Sequence, residues 1–373
     1  MNTALSQLPA EHVAPDSVLW TPTDLGAIAL PHRLAMAPMT RDRSAPDGSP
    51  TAMNVEYYRQ RASTAVIITE GTQPSADGQG YLLTPGIYTD EHVAGWTRVI
   101  DAVHQAGGRI ILQLMHVGRI SHPDNTPHHR QPVAPSAVAP HTQMFTAQGL
   151  VPIPEPRALA FAEVQKTIDD FRHAAACAMR AGADGVEIHG ANGYLVHQFL
   201  SSNANQRSDA YGGSIPNRIR FAVEVAEAVA DVVGADRTGI QISPGNPFND
   251  VAEDDVPQLY ETLISALAPL GLAYLNISFG DDELRRTLGQ AFGGPVVLNR
   301  AGASVVERTA DLSSGLGDVI TVGTRTLANP DIVERIKTGA TLNAPDKDTF
   351  YGGDERGYTD YPTLAQQVAG NDV

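Results

Sequence analysis

The chain has 373 residues, 42% hydrophobic and 18% charged, enough to bury a large core in one big domain or two ordinary ones. A net charge of −16 and a pI near 5.1 argue against a nucleic-acid or anionic-membrane surface, because phosphate binding needs clustered Lys and Arg. The lone cysteine, Cys177, excludes an internal disulfide framework and a four-thiolate cluster, and its Ala-rich helical setting reads as packing.

Met1 to Ser17 is polar, Pro-containing and unpatterned, and reads as an extension crossing the surface; 18–373 reads as a single domain. No apolar run approaches the ~18 residues of a membrane span. No basic region precedes an apolar block near the N-terminus, so a cytoplasmic location is expected. Eight apolar runs of strand length follow: Arg33–Ala37, Ala65–Glu70, Arg109–Leu114, Gly185–His189, Thr238–Ser243, Ala273–Ser278, Pro295–Asn299 and Asp318–Gly323. Most are nearly continuous β-branched and Leu runs, as expected for parallel strands covered on both faces. Helical patterns alternate with them at Met53–Ser63, Glu91–Ala106, Glu163–Ala181, Ile215–Val233, Asp255–Ala268, Asp281–Ala291, Ser304–Ser314 and Pro330–Thr338. Eight consecutive βα units predict an α/β fold of the (β/α)8 TIM-barrel type; a doubly wound open sheet is the structural competitor.

Two connections exceed a minimal barrel. The Pro- and His-rich segment of about 116–160 after the third strand is too long for a βα turn and is expected to be a lid. Ser201–Ser214 is a polar, Gly-containing loop after the fourth. Both follow strand C-termini, the face where such barrels carry their active sites.

Reading the strand ends collects a candidate site. The first gives Pro38, Met39 and Thr40; the second Gly71; the third Gln113 and Met115. The fourth gives His189, Asn192 and Tyr194, and the fifth Gln241. The seventh and eighth end in Asn299-Arg300-Ala301-Gly302 and Gly323-Thr324-Arg325, where small residues let backbone N–H groups approach an anion. The neutral donors and acceptors Thr40, Gln113, Asn192 and Gln241 suit a flat heterocycle with many hydrogen-bonding edges. They do not suit a metal, and His122, His128 and His129 read as loop residues. Nor is a Lys placed for Schiff-base chemistry, since Lys166 and Lys337 fall in helical patterns and Lys347 in the C-terminal tail. A non-flavin barrel hydrolase or lyase is the alternative from another class.

Taken together the segments closely resemble the old yellow enzyme family of FMN-dependent ene-reductases. The resemblance rests on Ala35-Met36-Ala37-Pro38-Met39-Thr40-Arg41, Gln113-Leu114-Met115-His116-Val117-Gly118-Arg119 and Val186-Glu187-Ile188-His189 through Phe199-Leu200. Asn205 to Ser214, Leu327-Ala328-Asn329-Pro330-Asp331, and Phe350-Tyr351 with Gly357-Tyr358-Thr359-Asp360-Tyr361-Pro362 extend it in unbroken order. It implies FMN as cofactor and NADPH or NADH as hydride donor, with a small-molecule substrate and a monomer or homodimer. Pro38, Met39, Thr40, Gly71, Gln113 and Gln241 would hold the isoalloxazine ring, and Thr40 marks the Thr-containing branch. Asn299, Arg300, Ala301, Gly302, Gly323 and Thr324 would hold the phosphate. Phe350 would border the flavin, with Met115 and Tyr351 in the substrate pocket. His189 and Asn192 would donate to a carbonyl or nitro oxygen, and Tyr194 would give the proton. Three positions depart from the family pattern. Gln241 stands where most relatives have Arg, from which a lower flavin potential or weaker cofactor retention is expected, with Arg300 the candidate compensating cation. Thr324 displaces the usual Gly-Arg by one residue, and Met115 replaces a frequent Trp, which should open the pocket.

Overall fold

The computed structural model describes residues 6–371. Eight parallel strands close into a barrel: β1 (Leu34–Met36), β2 (Ile67–Ile68), β3 (Ile110–Leu114), β4 (Gly185–Gly190), β5 (Thr238–Ile242), β6 (Tyr274–Ile277), β7 (Val296–Asn299) and β8 (Val319–Val322). Each coincides with one of the eight apolar runs. β2 is shorter than expected because Glu70 leaves the ladder: its N–H donates to the Tyr58 hydroxyl (3.0 Å), and its carboxylate accepts the Arg41 N–H (3.0 Å). Helices cover the barrel at Ala52–Gln60, Asp90–Gln105, Phe161–Arg180, Ile215–Val233, Val256–Leu267, Asp282–Phe292, Val305–Ser313 and Ile332–Thr338. The Ser304/Glu307 pair closes a capping box at one of them, a device worth about 1 kcal/mol.

Strand periodicity sorts side chains between two cores. One face packs under the helices, as with Leu112, Ile188, Ile240 and Leu275. At the barrel's N-terminal end, Ala35, Val66, Ile111, Tyr274, Val297 and Val319 meet Leu25, Ile28 and Leu30 from a hairpin (Thr23–Leu25 with Ile28–Leu30) that plugs the bottom. Gly239 is required there, since a Cβ would lie 2.2 Å from the Tyr274 ring. The hairpin's strands are too short to stand out in a sequence.

The long insertion has structure of its own. Val133–Ala134 pairs in parallel with Arg157–Ala158, and Gln143–Thr146 with Gly149–Pro152 forms an antiparallel hairpin. Of the N-terminal extension, Met1–Leu5 lies outside the described residues. The remainder is docked: Gln7–Leu8 pairs with Leu342–Asn343, Val13 is buried, and Glu11 pairs with Arg325.

Candidate active site

β4 delivers His189 to the barrel mouth, where it is buried. Its Nδ1 accepts the Ala191 N–H (3.2 Å), so the ring proton sits on Nε2. Burial, helped by nearby His197, lowers its pKa to about 3, and the ring is a neutral donor at any physiological pH.

Asn192 follows in the left-handed region (φ 54°), held on three sides. Its N–H donates to Ser243 Oγ (2.9 Å), its carbonyl accepts Asn249 Nδ2 (2.8 Å), and its Oδ1 accepts Asn246 Nδ2 (3.0 Å). With Oδ1 engaged, the amide NH2 is the end left for a ligand. Gly193 (φ 74°) admits no side chain, since a Cβ would lie 2.5 Å from the Phe248 carbonyl oxygen. Its N–H donates to His197 Nδ1 (2.9 Å), and His197 Nε2 lies 3.1 Å from Glu253 Oε1. Burial alone would push the Glu253 carboxyl up. His197, Tyr260 and the Gly245 N–H outweigh it and hold the group below the usual carboxylate range.

Tyr194 ends the turn with its ring edge-on to His189, centroids 4.9 Å apart. Its hydroxyl is 2.8 Å from that of Tyr81. Burial raises its pKa to about 12, so it keeps its proton. Around it pack Met115 and, from the insertion, Val117, Ile120, Met144 and Ile153.

Below this layer Gln113 and Gln241 meet. Gln113 Nε2 donates to Glu187 Oε1 (2.7 Å) and to Gln241 Oε1 (3.1 Å), while Asn276 Nδ2 donates to Glu187 Oε2 (2.9 Å). Gln113 Oε1 and Gln241 Nε2 have no partner among the described residues, nor does the Thr40 hydroxyl. These are the unused edges that a flat heterocycle would occupy. Gly71 is buried against Met115, whose sulfur would lie 2.4 Å from a Cβ there.

At the seventh and eighth strand ends, Gly302 and Thr324 are exposed and Gly323 precedes a short helix, Thr324–Ala328. Arg300 is not a free cation. Its guanidinium is bound through Nε and Nη2 by Asp311 (2.6 Å) and Asp282 (2.7 Å), two carboxylates that offset its charge. Arg300 and Ala301 border a cleft of about 820 Å³ that Gly245, Ser278, Phe279 and Gly280 also line.

Phe350 and Met39 both pack on the cluster of Leu327, Ala328 and Tyr361, whereas Tyr351 is 67% exposed. Two buried guanidiniums fix this segment. Arg41 donates to the carbonyls of Phe350 (2.9 Å) and Gly357 (3.0 Å), and Arg43 to those of Thr349 (3.0 Å) and Asp354 (2.9 Å).

The structure thus gathers His189, Asn192, Tyr194, Gln113, Gln241, Thr40 and Met115 at one mouth. The sequence reading passed over Tyr81, Glu187, Asn246 and the His197–Glu253 pair. Only Glu187 carried a signal: two residues before His189 on a strand, it shares the inward face.

Comparison with known proteins identifies the family. Residues 18–343 match the model of the NADH:flavin oxidoreductase / NADH oxidase family. The chain is 41% identical over 360 residues to a probable flavin mononucleotide-dependent alkene reductase of Leishmania infantum, covering 93% of this chain and 98% of that one. It is 39% identical over 361 residues to 12-oxophytodienoate reductase 1 of Oryza sativa subsp. japonica, covering 93% of each. Among solved structures, morphinone reductase superposes with a TM-score of 0.90 at 42% identity, covering 94% of this chain and 98% of that one. The old yellow enzyme homologue of Zymomonas mobilis gives 0.90 at 36% identity, covering 93% and 99%.

Proposed function

The chain belongs to the NADH:flavin oxidoreductase / NADH oxidase family, that of the old yellow enzymes, and from that membership we propose the division of labour at its barrel mouth. It is an FMN-dependent oxidoreductase that takes hydride from NADH or NADPH and reduces activated alkenes. The unused edges of Thr40, Gln113 and Gln241 fit the cofactor's ring. Backbone N–H groups at 299–302 and at Gly323 and Thr324 would receive its phosphate, with Pro38, Met39, Gly71 and Phe350 as walls. When bound, FMN supplies hydride transfer.

The observation that carries this reading is the polarity forced on His189 and Asn192. Each has its acceptor atom engaged by the protein, so each offers N–H to one ligand oxygen. Two fixed neutral donors at the carbonyl oxygen of an α,β-unsaturated substrate, or at a nitro oxygen, stabilise the developing enolate without reorganising, at about 3 kcal/mol per donor. Tyr194 then gives its proton to the α-carbon as general acid, and burial keeps that proton in place. Met115, in place of a bulkier ring, leaves room for larger substrates, and the exposed Tyr351 stands at the rim. Nitro compounds and nitrate esters present the same type of oxygen and are the second substrate class. The domain is the barrel of 18–373, acting on small molecules in the cytoplasm as monomer or homodimer.

Reconstitution with FMN followed by stopped-flow reduction with NADH and NADPH tests the reading. Reoxidation by cyclohexenone, maleimide and a nitrate ester should restore the oxidised flavin spectrum. Protein that stays colourless after gentle reconstitution would refute it.

A further inference from the structure

Glu187 lies fully buried on the inward face of β4, two residues below His189. Every group in contact with it is neutral: Gln113 from β3, Asn276 and Tyr274 from β6, with Gln241 from β5 joined through Gln113. No lysine or arginine faces it among the described residues. Burial accordingly pushes its carboxyl up to about 7, against the hydrogen bonds from Asn276 and Gln113.

Above that pKa the carboxylate can only accept, so the neighbouring amides turn their NH2 ends toward it. For Gln113 this fixes both ends: Nε2 points at Glu187 and Gln241, and Oε1 is left to the site. Gln241 is fixed in turn. Its Oε1 receives Gln113 Nε2 at 3.1 Å, and its own NH2 is left over. The two side chains therefore offer a set pair, one acceptor beside one donor. That pair complements an imide edge, an N–H flanked by a carbonyl, which the pyrimidine ring of a flavin possesses.

We infer that Glu187 is a positioning residue for the cofactor: by accepting from Gln113 and Asn276 it locks Gln113 as acceptor and Gln241 as donor toward the imide edge of FMN. The lock stands in a barrel whose fifth strand carries an amide rather than a cation, so amide polarity does the recognition that charge would otherwise do. The inference rests on FMN being the cofactor.

The test is flavin binding to apoprotein, comparing FMN with FMN methylated at N3, which has no imide proton and leaves Gln113 Oε1 unpaired. Wild type should bind the methylated flavin about tenfold or more weakly, as expected for one buried unpaired acceptor. Glu187→Leu removes the acceptor that turns Gln113, and discrimination should fall to a few-fold. Glu187→Gln should restore it, because its carbonyl can still accept from Gln113, while the Asn276 amide, whose Nδ2 faces position 187 and whose Oδ1 has no partner, turns over to accept from the new NH2. A readout on wild type alone guards against a variant that does not fold: the N3 proton of bound FMN should show a downfield, slowly exchanging NMR resonance. Equal affinity of wild type for both flavins, or full discrimination in Glu187→Leu, would overturn the inference. Uptake of neither flavin would instead count against FMN as cofactor.

Discussion

The phenol oxygens of Tyr81 and Tyr194 lie 2.8 Å apart, joining the half-buried Tyr81 to the buried Tyr194. A general acid contributes about 10²- to 10⁴-fold. Tyr194→Phe should therefore slow flavin reoxidation by an alkene by that factor while leaving flavin reduction by NAD(P)H intact. Tyr81→Phe removes only the neighbour of the donor and should cost about tenfold or less, in line with one hydrogen bond. Stopped-flow traces of both half-reactions decide it, and equal loss in the two would remove Tyr194 from the proton step.

The pH profile of reoxidation follows from the same residues. His189 titrates near 3 and Tyr194 near 12, each displaced by burial away from neutrality. Neither changes charge between pH 5 and pH 9, so in Glu187→Gln, which removes the site carboxyl that burial lifts to about 7, the reoxidation rate at saturating alkene should be flat across that range. A limb with its midpoint near the ordinary histidine pKa of about 6.5 would mean that His189 is protonated in the working enzyme.

Asn246 touches the site only through Asn192. Asn246→Ala frees Asn192 Oδ1, and the amide can then present either end to a ligand. The expected effect is about tenfold in kcat/KM for alkenes, equivalent to about 1.4 kcal/mol, with flavin content unchanged. Asn246→Asp keeps an acceptor but loses the donor and should behave like the alanine variant. An unaffected kcat/KM would show that Asn192 is oriented without Asn246.

The barrel was legible because each strand is a short continuous apolar run and each helix has its own 3.6-residue period, both local properties. The turn that brings His189, Asn192 and Tyr194 together was legible for the same reason, all three lying within six residues. What escaped notice depends on distance along the chain. Gln113 meets Glu187 across 74 residues, and Arg41 holds Phe350 across 309. Arg300 looked like an available cation because its captors, Asp282 and Asp311, are placed by two different helices. A strand-end inventory names side chains but not which of their atoms are already engaged, and at this site that decides what a ligand meets.

Acid stability gives a prediction independent of the cofactor. His116 is fully buried with its Nδ1 accepting the Gly118 N–H, and burial lowers its pKa to about 4. The unfolded chain binds this proton below about pH 6.5 while the folded chain does not until about 4, so stability falls as pH drops through that window. Urea unfolding at pH 7.5 and pH 4.5 should show a loss on the order of 2 kcal/mol from this residue. His116→Gln, which cannot titrate, should lack that part of the loss. An identical pH difference in the two proteins would mean that the proton enters the folded state freely.

The family resemblance leads to the expectation of an Arg at position 241, where this chain has Gln, and the structure shows what an arginine would meet there. Its neighbour Gln113 already contacts Glu187, so a guanidinium at 241 would lie beside a carboxyl whose pKa burial has raised to about 7. The cation would draw that carboxyl fully into its charged form, and part of the added positive charge would be cancelled. The flavin midpoint potential in Gln241→Arg should still rise, on the order of 30 mV, which for two electrons is about 1.4 kcal/mol in favour of the reduced cofactor. In Gln241→Arg combined with Glu187→Gln the cancelling charge is gone, and the rise should be larger than in the single variant. Spectroelectrochemical titration of the two variants against wild type reads this ordering directly. A potential that moves in neither would place the charge too far from the flavin to act, whereas equal rises in both would show that Glu187 stays protonated beside the cation.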